Sequence, residues 1–299
     1  MSLPKLDHRQ GIWIAALGVL VLSFDALLVR LAATDPMNIA FWRGALIFVS
    51  VSLFILFSGN RKQWRQYRAH GGAALLVTVL YGINSGLFVF SVSHTTAANT
   101  VVILSSSAFF AAFFSWLLLR ERVALRTWIA IAVSVLGVLV VFSGSLGQPG
   151  SLGDLLAIIL ALLMGLTLTL LRRMPDLPKM PVVAGSGIVL AILTWPLASP
   201  LGLEPNQYGW LAVMGLVQMP VASVLLMMAT RYLPSPEVSL FLLIETVLGP
   251  VWVWLVLSEA VPPLTFVGGS AILGAVFVHS WLSLKKPRTS IPTPMDPPL

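Results

Sequence analysis

The 299-residue chain contains no cysteine. That excludes disulfides, thiolate metal sites and cysteine nucleophiles. Charge is almost as scarce: Asp, Glu, Lys and Arg together supply 10% of the residues, against roughly 25% in a soluble domain. Such a chain cannot cover a water-facing surface with polar groups. Histidine is rare too, and His94 and His279 stand alone near the ends of apolar runs, so no metal ligand set is spelled out. No HExxH, GxSxG, Walker A or EF-hand pattern occurs, and neither an enzyme activity nor a cofactor is expected. What is abundant is apolar. Hydrophobic residues make up 58% of the chain, and the mean hydropathy is +0.93, which describes a polytopic membrane protein whose main partner is the lipid bilayer. A net charge of +7 would point to nucleic acid in a soluble protein, but the position of the charges removes that reading.

A bilayer core of about 30 Å takes about 20 helical residues per crossing. Apolar runs separated by polar or Pro/Gly breaks give ten candidate spans, near 11–33, 37–57, 71–91, 97–118, 124–142, 152–171, 182–199, 208–230, 237–257 and 263–284. The first ten residues lead straight into a full-length run, with no small-residue cleavage site after a short one, so no cleavable signal is expected. Start signals support two of the later spans. Ser151 with Asp154 has the form of a capping box, and Ser235, Pro236 and Glu237 offer a cap, a first-turn proline and an acid suited to the helix dipole.

All but two of the 18 Lys and Arg residues fall in the terminal segments and the even-numbered connections, and the odd-numbered connections hold none. Cytoplasmic loops are the ones enriched in Lys and Arg, so both termini are expected in the cytoplasm. The organisation is then a cytoplasmic tail over 1–10, a first five-helix unit over 11–142, a second over 152–284 and a proline-rich, disordered cytoplasmic tail over 285–299. Trp13, Trp116, Trp128 and Trp281 fall at inner ends, and Trp195, Trp210, Trp252 and Trp254 at outer ends, as an interfacial belt requires. The run RKQWRQYR, Arg61 to Arg68, reads either as plain positive-inside signal or as a short basic amphipathic segment along the inner leaflet.

One pattern occurs twice. SWLLLRERV from Ser115 matches VWLVLSEAV from Val253 at Trp116/Trp254, Leu117/Leu255, Leu119/Leu257, Glu121/Glu259 and Val123/Val261. The flanking RTWIAIAVSVLGVLVVF also runs beside LTFVGGSAILGAVFVHS. The first copy ends inside and carries arginines, and the second ends outside and has none. A duplicated unit of five helices must invert, because five is odd, and inverted repeats are characteristic of secondary transporters with a substrate site near the midplane. The fold class expected is therefore an all-α membrane protein of ten transmembrane helices in two inverted-topology repeats.

The halves resemble the ten-helix, EamA-type exporters of the drug/metabolite transporter superfamily over residues 11–284. TDPMNIAFWRG carries Pro36 and Arg43 where that family has a proline and a second-helix arginine, and HTTAANTVVIL precedes LLLRER. RYLPSPEVSLFLLIE and WLVLSEAV are similar to the corresponding second-half elements. The chain departs from the family at SSSAFF, where a mid-helix proline is common, and at Glu245-Thr246, where Glu-Pro is common. The overall look is nearest to the aromatic amino-acid exporter branch. The resemblance implies a multi-pass exporter of small metabolites in the cytoplasmic (inner) membrane, with aromatic amino acids as substrates and export as the direction. A compact ten-helix unit is compatible with a monomer.

Four ionisable groups lie inside spans: Asp25, Arg30, Arg43 and Glu245. Such groups are expensive in lipid and are functional suspects. Arg30 lies near the outer interface, where it can snorkel. Asp25 lies roughly 21 Å from the inner end of its span and Arg43 roughly 9 Å from the outer end of the next, so the two share a level and can pair. The pair either pins two helices or serves as a gate or proton site. Glu245, roughly 12 Å from the inner surface, is either a hydrogen-bonded structural carboxyl or a site for a substrate ammonium or a coupling proton. Tyr81, Asn84 and Phe88 share one helix face, and Gly82 and Gly86 form a GxxxG on the adjacent one. With Met164, Thr167, Gln218 and Met219 they form a candidate cavity wall, apolar and aromatic with two amides, suited to an aromatic zwitterion. Pro220 is expected to loosen the helix there. Two rival functions remain at this point. One is a proton-coupled multidrug or organic-cation exporter using Asp25 or Glu245. The other, more distant, is an intramembrane enzyme acting on lipid.

Overall fold

Residues 8–59, 61–120, 125–144, 146, 149–232 and 235–284 are described in a computed structural model of the chain, and the tail expected over 285–299 lies outside them. The described regular structure is entirely helical. The first half comprises α1 (His8–Leu22), α2 (Asp25–Ala32), α3 (Pro36–Phe57), α4 (Lys62–Ala69), α5 (Gly71–His94), α6 (Ala97–Ser105), α7 (Ser107–Leu119) and α8 (Leu125–Ser143). The second comprises α9 (Ser151–Arg173), α10 (Lys179–Thr194), α11 (Pro205–Ala212), a π-helical turn (Val213–Gln218), α12 (Met219–Tyr232), α13 (Ser235–Leu257) and α14 (Pro263–Leu284). α1 begins at His8, within the segment expected as a tail over 1–10, and residues 1–7 of that segment lie outside the described ones.

Among the described residues six helices are long and apolar enough to cross a membrane, and Thr127–Ser143, Lys179–Thr194, Ile244–Leu257 and Pro263–Ala275 are shorter apolar helices. Their outer surfaces bear large apolar side chains, including Trp13, Phe57, Leu125 and Trp254, all more than half exposed except where packing intervenes on neighbouring turns. In water so much exposed apolar surface would drive aggregation; lipid tails solvate it without cost.

Local chemistry explains several ends. Asp35 caps α3, its carboxylate accepting from the Met37 N–H at 2.7 Å, and Pro36 takes the first position, where no N–H is needed. Thr96 caps α6 by accepting from the Asn99 N–H at 3.1 Å. Two apolar runs break where the sequence shows no proline or glycine. The first breaks at Ser23–Phe24 between α1 and α2, where the Ser23 hydroxyl donates to the Leu20 carbonyl. The other breaks at Ser106 between α6 and α7, where the Ser106 hydroxyl donates to Ile103. Back-bonding serines of this kind compete with the helical ladder. Pro220 acts one turn earlier than its position. Its missing N–H is absorbed by the π-helical turn ending at Gln218. Pro250, by contrast, sits inside an unbroken α13.

The capping-box expectation at Ser151 does not hold. The helix already begins at Ser151, Gly150 is its cap without a side-chain bond, and Asp154 turns away to other partners. The basic segment expected at 61–68 is the helix α4. No side chain in it is fully buried; Trp64 packs against the cluster of Ile47, Val51, Ile55, Met180 and Ala184, and the Tyr67 hydroxyl bonds Thr78 at 2.7 Å.

The two halves pack reciprocally. α3 lies on α10 and α8 on α14, while α5 lies on α9 as α12 lies on α1. A Cβ on Gly44 would stand 2.5 Å from the Gly187 carbonyl oxygen, and one on Gly187 would stand 2.5 Å from the Gly44 carbonyl oxygen. Gly137 and Gly268 meet in the same mutual way, at 2.8 and 2.4 Å. Only glycine permits such backbone approach, which replaces the hydrophobic effect as the source of helix association in lipid. The correspondence extends further. Gly82 on α5 faces the Ser186 carbonyl and Val189 of α10, and Gly215 in the π-helical turn faces the Arg43 carbonyl and Leu46 of α3.

Candidate functional site

Arg43 is the hub of the first polar cluster. Its Nη1 and Nη2 donate to the two carboxylate oxygens of Asp25 at 2.7 and 2.9 Å, a bidentate ion pair with side chains only 3% and 8% exposed. Nε donates to the Ser85 hydroxyl at 3.1 Å. The sulfur atoms of Met214 and Met219 lie 3.8 Å from Nη1 and Nη2, and the Phe88 ring lies 5.5 Å from the guanidinium carbon. Asp25 reaches this point because the chain breaks just before it, which puts its carboxylate on the first turn of α2. Tyr81 lies within electrostatic reach of Arg43 and Glu245, and Glu245 within that of Asp25. No hydrogen-bond donor among the described residues satisfies the Glu245 carboxyl. The cluster thus draws on both halves: Asp25, Arg43, Tyr81, Ser85 and Phe88 from the first, and Met214, Met219 and Glu245 from the second.

Two amides flank it, one on α5 and one on the π-helical turn. The Asn84 amide nitrogen donates to Thr167 at 3.0 Å and lies 4.0 Å from the Met164 sulfur. The Gln218 amide nitrogen reaches the Val21 and Leu22 carbonyls at 3.3 and 3.4 Å, groups freed where α1 ends. Both residues are buried, and the oxygens of both, Asn84 Oδ1 and Gln218 Oε1, have no hydrogen-bond donor among the described residues. A buried acceptor left unpaired costs about 1–3 kcal/mol.

A second cluster, not legible in the sequence, occupies the end of the molecule whose connections carry no Lys or Arg. Arg30 Nη2 lies 3.0 Å from Glu259 Oε2 and donates to the Thr95 carbonyl at 2.6 Å. Glu259 Oε1 accepts the Ala97 N–H at 2.8 Å, closing the start of α6. Below them the fully buried Asp154 accepts both from the Thr95 hydroxyl and, at 3.1 and 2.9 Å, from the Asn99 amide. The Thr265 hydroxyl of α14 donates to the Asn99 oxygen. A cavity of about 480 Å³ opens here, with Arg30, His94, Asn99, Glu259 and Thr265 in its wall.

The expected residues therefore divide. Asp25 and Arg43 meet as their equal depth suggested, and Asn84, Met164 and Thr167 meet each other. Gln218 and Met219 converge on the same region. Phe88 is buried beneath Arg43, and none of the seven residues expected to line a cavity borders the 480 Å³ one. Gly82 and Gly86 turn towards α10, as the GxxxG suggested. Arg30 does not snorkel free; it is held by Glu259 and Thr95. Trp252 leaves the aromatic belt to stack on Phe24 at 4.9 Å and donate to Ser23. No group of three or more His, Cys, Asp or Glu that could hold a metal occurs among the described residues.

The sequence profile of the EamA-like transporter family matches the chain twice, over residues 9–143 and 151–281. No curated protein matches. Among solved structures, one titled only "Crystal structure of protein" superposes with a TM-score of 0.62 at 16% identity, covering 94% of this chain and all of that one; at that identity the likeness speaks for the fold alone.

Proposed function

The chain belongs to the EamA-like transporter family, through two copies of the family unit that fill most of its length, and from that premise we propose that it exports aromatic amino acids across the cytoplasmic membrane by alternating access. In this reading the six long and four shorter apolar helices form ten spans. They make two inverted five-helix repeats with both termini in the cytoplasm, as the charge distribution over the connections favours. The reciprocal packing of the halves supports the inversion, since α5 lies on α9 as α12 lies on α1.

One observation carries the substrate class. Asn84 and Gln218 hold buried, unpaired amide oxygens on matching helices of the two halves, beside the Arg43 cluster with its phenyl, phenol and thioether groups. An α-ammonium satisfies such acceptors, and Tyr81, Met164 and Met219, each half-buried, provide polarizable surface for an aromatic ring. The Asp25–Arg43 pair is the closing element on the outer side of this region. Glu245 is the group to carry a coupling proton, because Asp25 is already taken by Arg43 while no described donor holds Glu245.

Reconstituted protein tests this. Efflux of labelled phenylalanine or tryptophan from proteoliposomes should saturate with concentration and fall at least about tenfold in Asn84→Ala and Gln218→Ala, a loss equivalent to about 1.4 kcal/mol. A lack of amino-acid flux together with transport of a cationic dye, abolished by Glu245→Gln, would replace this reading with the organic-cation exporter.

A further inference from the structure

We propose that the 480 Å³ cavity at the Lys/Arg-free end is a second solute site, in which the Arg30–Glu259 pair opens to take the carboxylate and the ammonium of one zwitterionic amino acid. The proposal rests on the amino-acid reading above and places this site on the outer face.

Each partner of the pair has its own anchor. Arg30 donates to the Thr95 carbonyl and Glu259 accepts from the Ala97 N–H, so both charges stay in place when the pair between them opens. The guanidinium also has an unused donor. Arg30 Nε has no acceptor among the described residues but is shut off from solvent, so it joins Nη2 in a two-point grip on a carboxylate only once the opening of the pair uncovers it. Glu259 is correspondingly free to meet an ammonium with Oε2. Insertion of a zwitterion exchanges one ion pair for two, so neither charge is left uncompensated at any stage, which is the condition for such an exchange to be easy in a partly desolvated site.

The surroundings match the ligand. At about 480 Å³ the cavity lies within the 300–1,000 Å³ range of small-molecule sites. Val141 and Leu264 provide apolar wall for a side chain, and Asn99 and Thr265 provide polar wall. A clamp between segments would need no such space. Both charged side chains are about one-quarter exposed, 25% for Arg30 and 24% for Glu259, and therefore reachable by a solute. The connections at this end carry no Lys or Arg, which assigns it to the outer face. An exported solute would pass here last.

The absence of cysteine makes the test clean. Ser93→Cys and His94→Cys each place a single thiol in the wall of the cavity, for modification by a membrane-impermeant maleimide added outside proteoliposomes. Phenylalanine should slow modification at least about twofold, and N-acetylphenylalanine and phenethylamine, each with one head group, should protect less. In the Arg30→Gln and Glu259→Gln backgrounds protection by phenylalanine should vanish while labelling without ligand persists. Arg30→Lys and Glu259→Asp, which keep each charge together with its donor or acceptor role, should retain part of the protection. Protection that survives both neutralising substitutions, absence of protection with the pair intact, or thiols unreactive from outside would each overturn the site. Protection does not require transport. Protection without phenylalanine efflux would leave the site standing and remove the exporter reading, and efflux without protection would do the reverse.

Discussion

Breaking the Asp25–Arg43 pair gives the sharpest energetic test of the central cluster. Both side chains are almost completely buried, at 3% and 8% exposure, and both carboxylate oxygens are engaged. Asp25→Asn leaves the guanidinium without its ion-pair partner, with Ser85, two thioether sulfurs and the Phe88 face as its remaining direct contacts. A cation–π contact contributes about 0.5–2 kcal/mol, which cannot offset the loss of a buried partner, put at about 3–5 kcal/mol. Arg43→Gln leaves Asp25 facing Glu245 without its counter-charge, and should cost a similar amount. The double variant Asp25→Asn/Arg43→Gln removes both charges together, so its cost should fall below the sum of the two by at least about 1.5 kcal/mol, within the usual range for residues in contact. Unfolding in detergent micelles by added SDS, followed by tryptophan fluorescence, gives the three free energies. If the double variant costs the sum of the singles within about 0.5 kcal/mol, the two residues do not act as a pair and the closing role assigned to them has no energetic basis.

Other substitutions probe the packing and the outer network. Gly44→Ala and Gly187→Ala each force a Cβ to within 2.5 Å of a backbone oxygen across the α3–α10 contact and should cut the yield of folded protein sharply on size-exclusion chromatography. Gly72→Ala, with nothing within 4 Å of its Cβ, should leave the yield unchanged or raise stability by up to about 1 kcal/mol. Asp154→Ala strips the acceptor from Thr95 and Asn99 at once, and should lower stability by about 2–5 kcal/mol by SDS unfolding; a loss below about 0.5 kcal/mol would show that water replaces the carboxylate there. Arg43→Lys keeps the charge but loses the fork that engages both Asp25 oxygens, and should recover no more than about half of the stability lost in Arg43→Gln.

Depth along a span was readable, and with it the Asp25–Arg43 contact, because 1.5 Å per residue converts sequence position into height. The Gly82/Gly86 face was readable for a similar reason: small residues four apart open one side of a helix to close approach. Height alone put Arg30 near the end of its span, where it is one-quarter exposed, but nothing local indicates that Glu259 and Thr95 arrive at the same height. Asp154 was misread as part of a cap, since Ser-x-x-Asp at a helix start has that local meaning. Its true partners, Thr95 and Asn99, come from a connection far away in the sequence. The repeat match at Glu121/Glu259 did single out Glu259, and this was the one available sign of its importance.

Composition, run length and the placement of Lys and Arg act residue by residue against lipid and water, so the sequence by itself determined the solvent, the helical class, the apolar segments and their duplication. Neighbour relations are another matter. Helices such as α3 and α13 are apolar nearly all round, so no hydrophobic stripe says which face meets which helix. That choice was made by tertiary packing, through backbone contact at Gly44–Gly187 and Gly137–Gly268. Once those contacts set the helices in place, Arg30 met Glu259, Asp154 met Asn99, and Asn84 and Gln218 were left with an oxygen each and no partner.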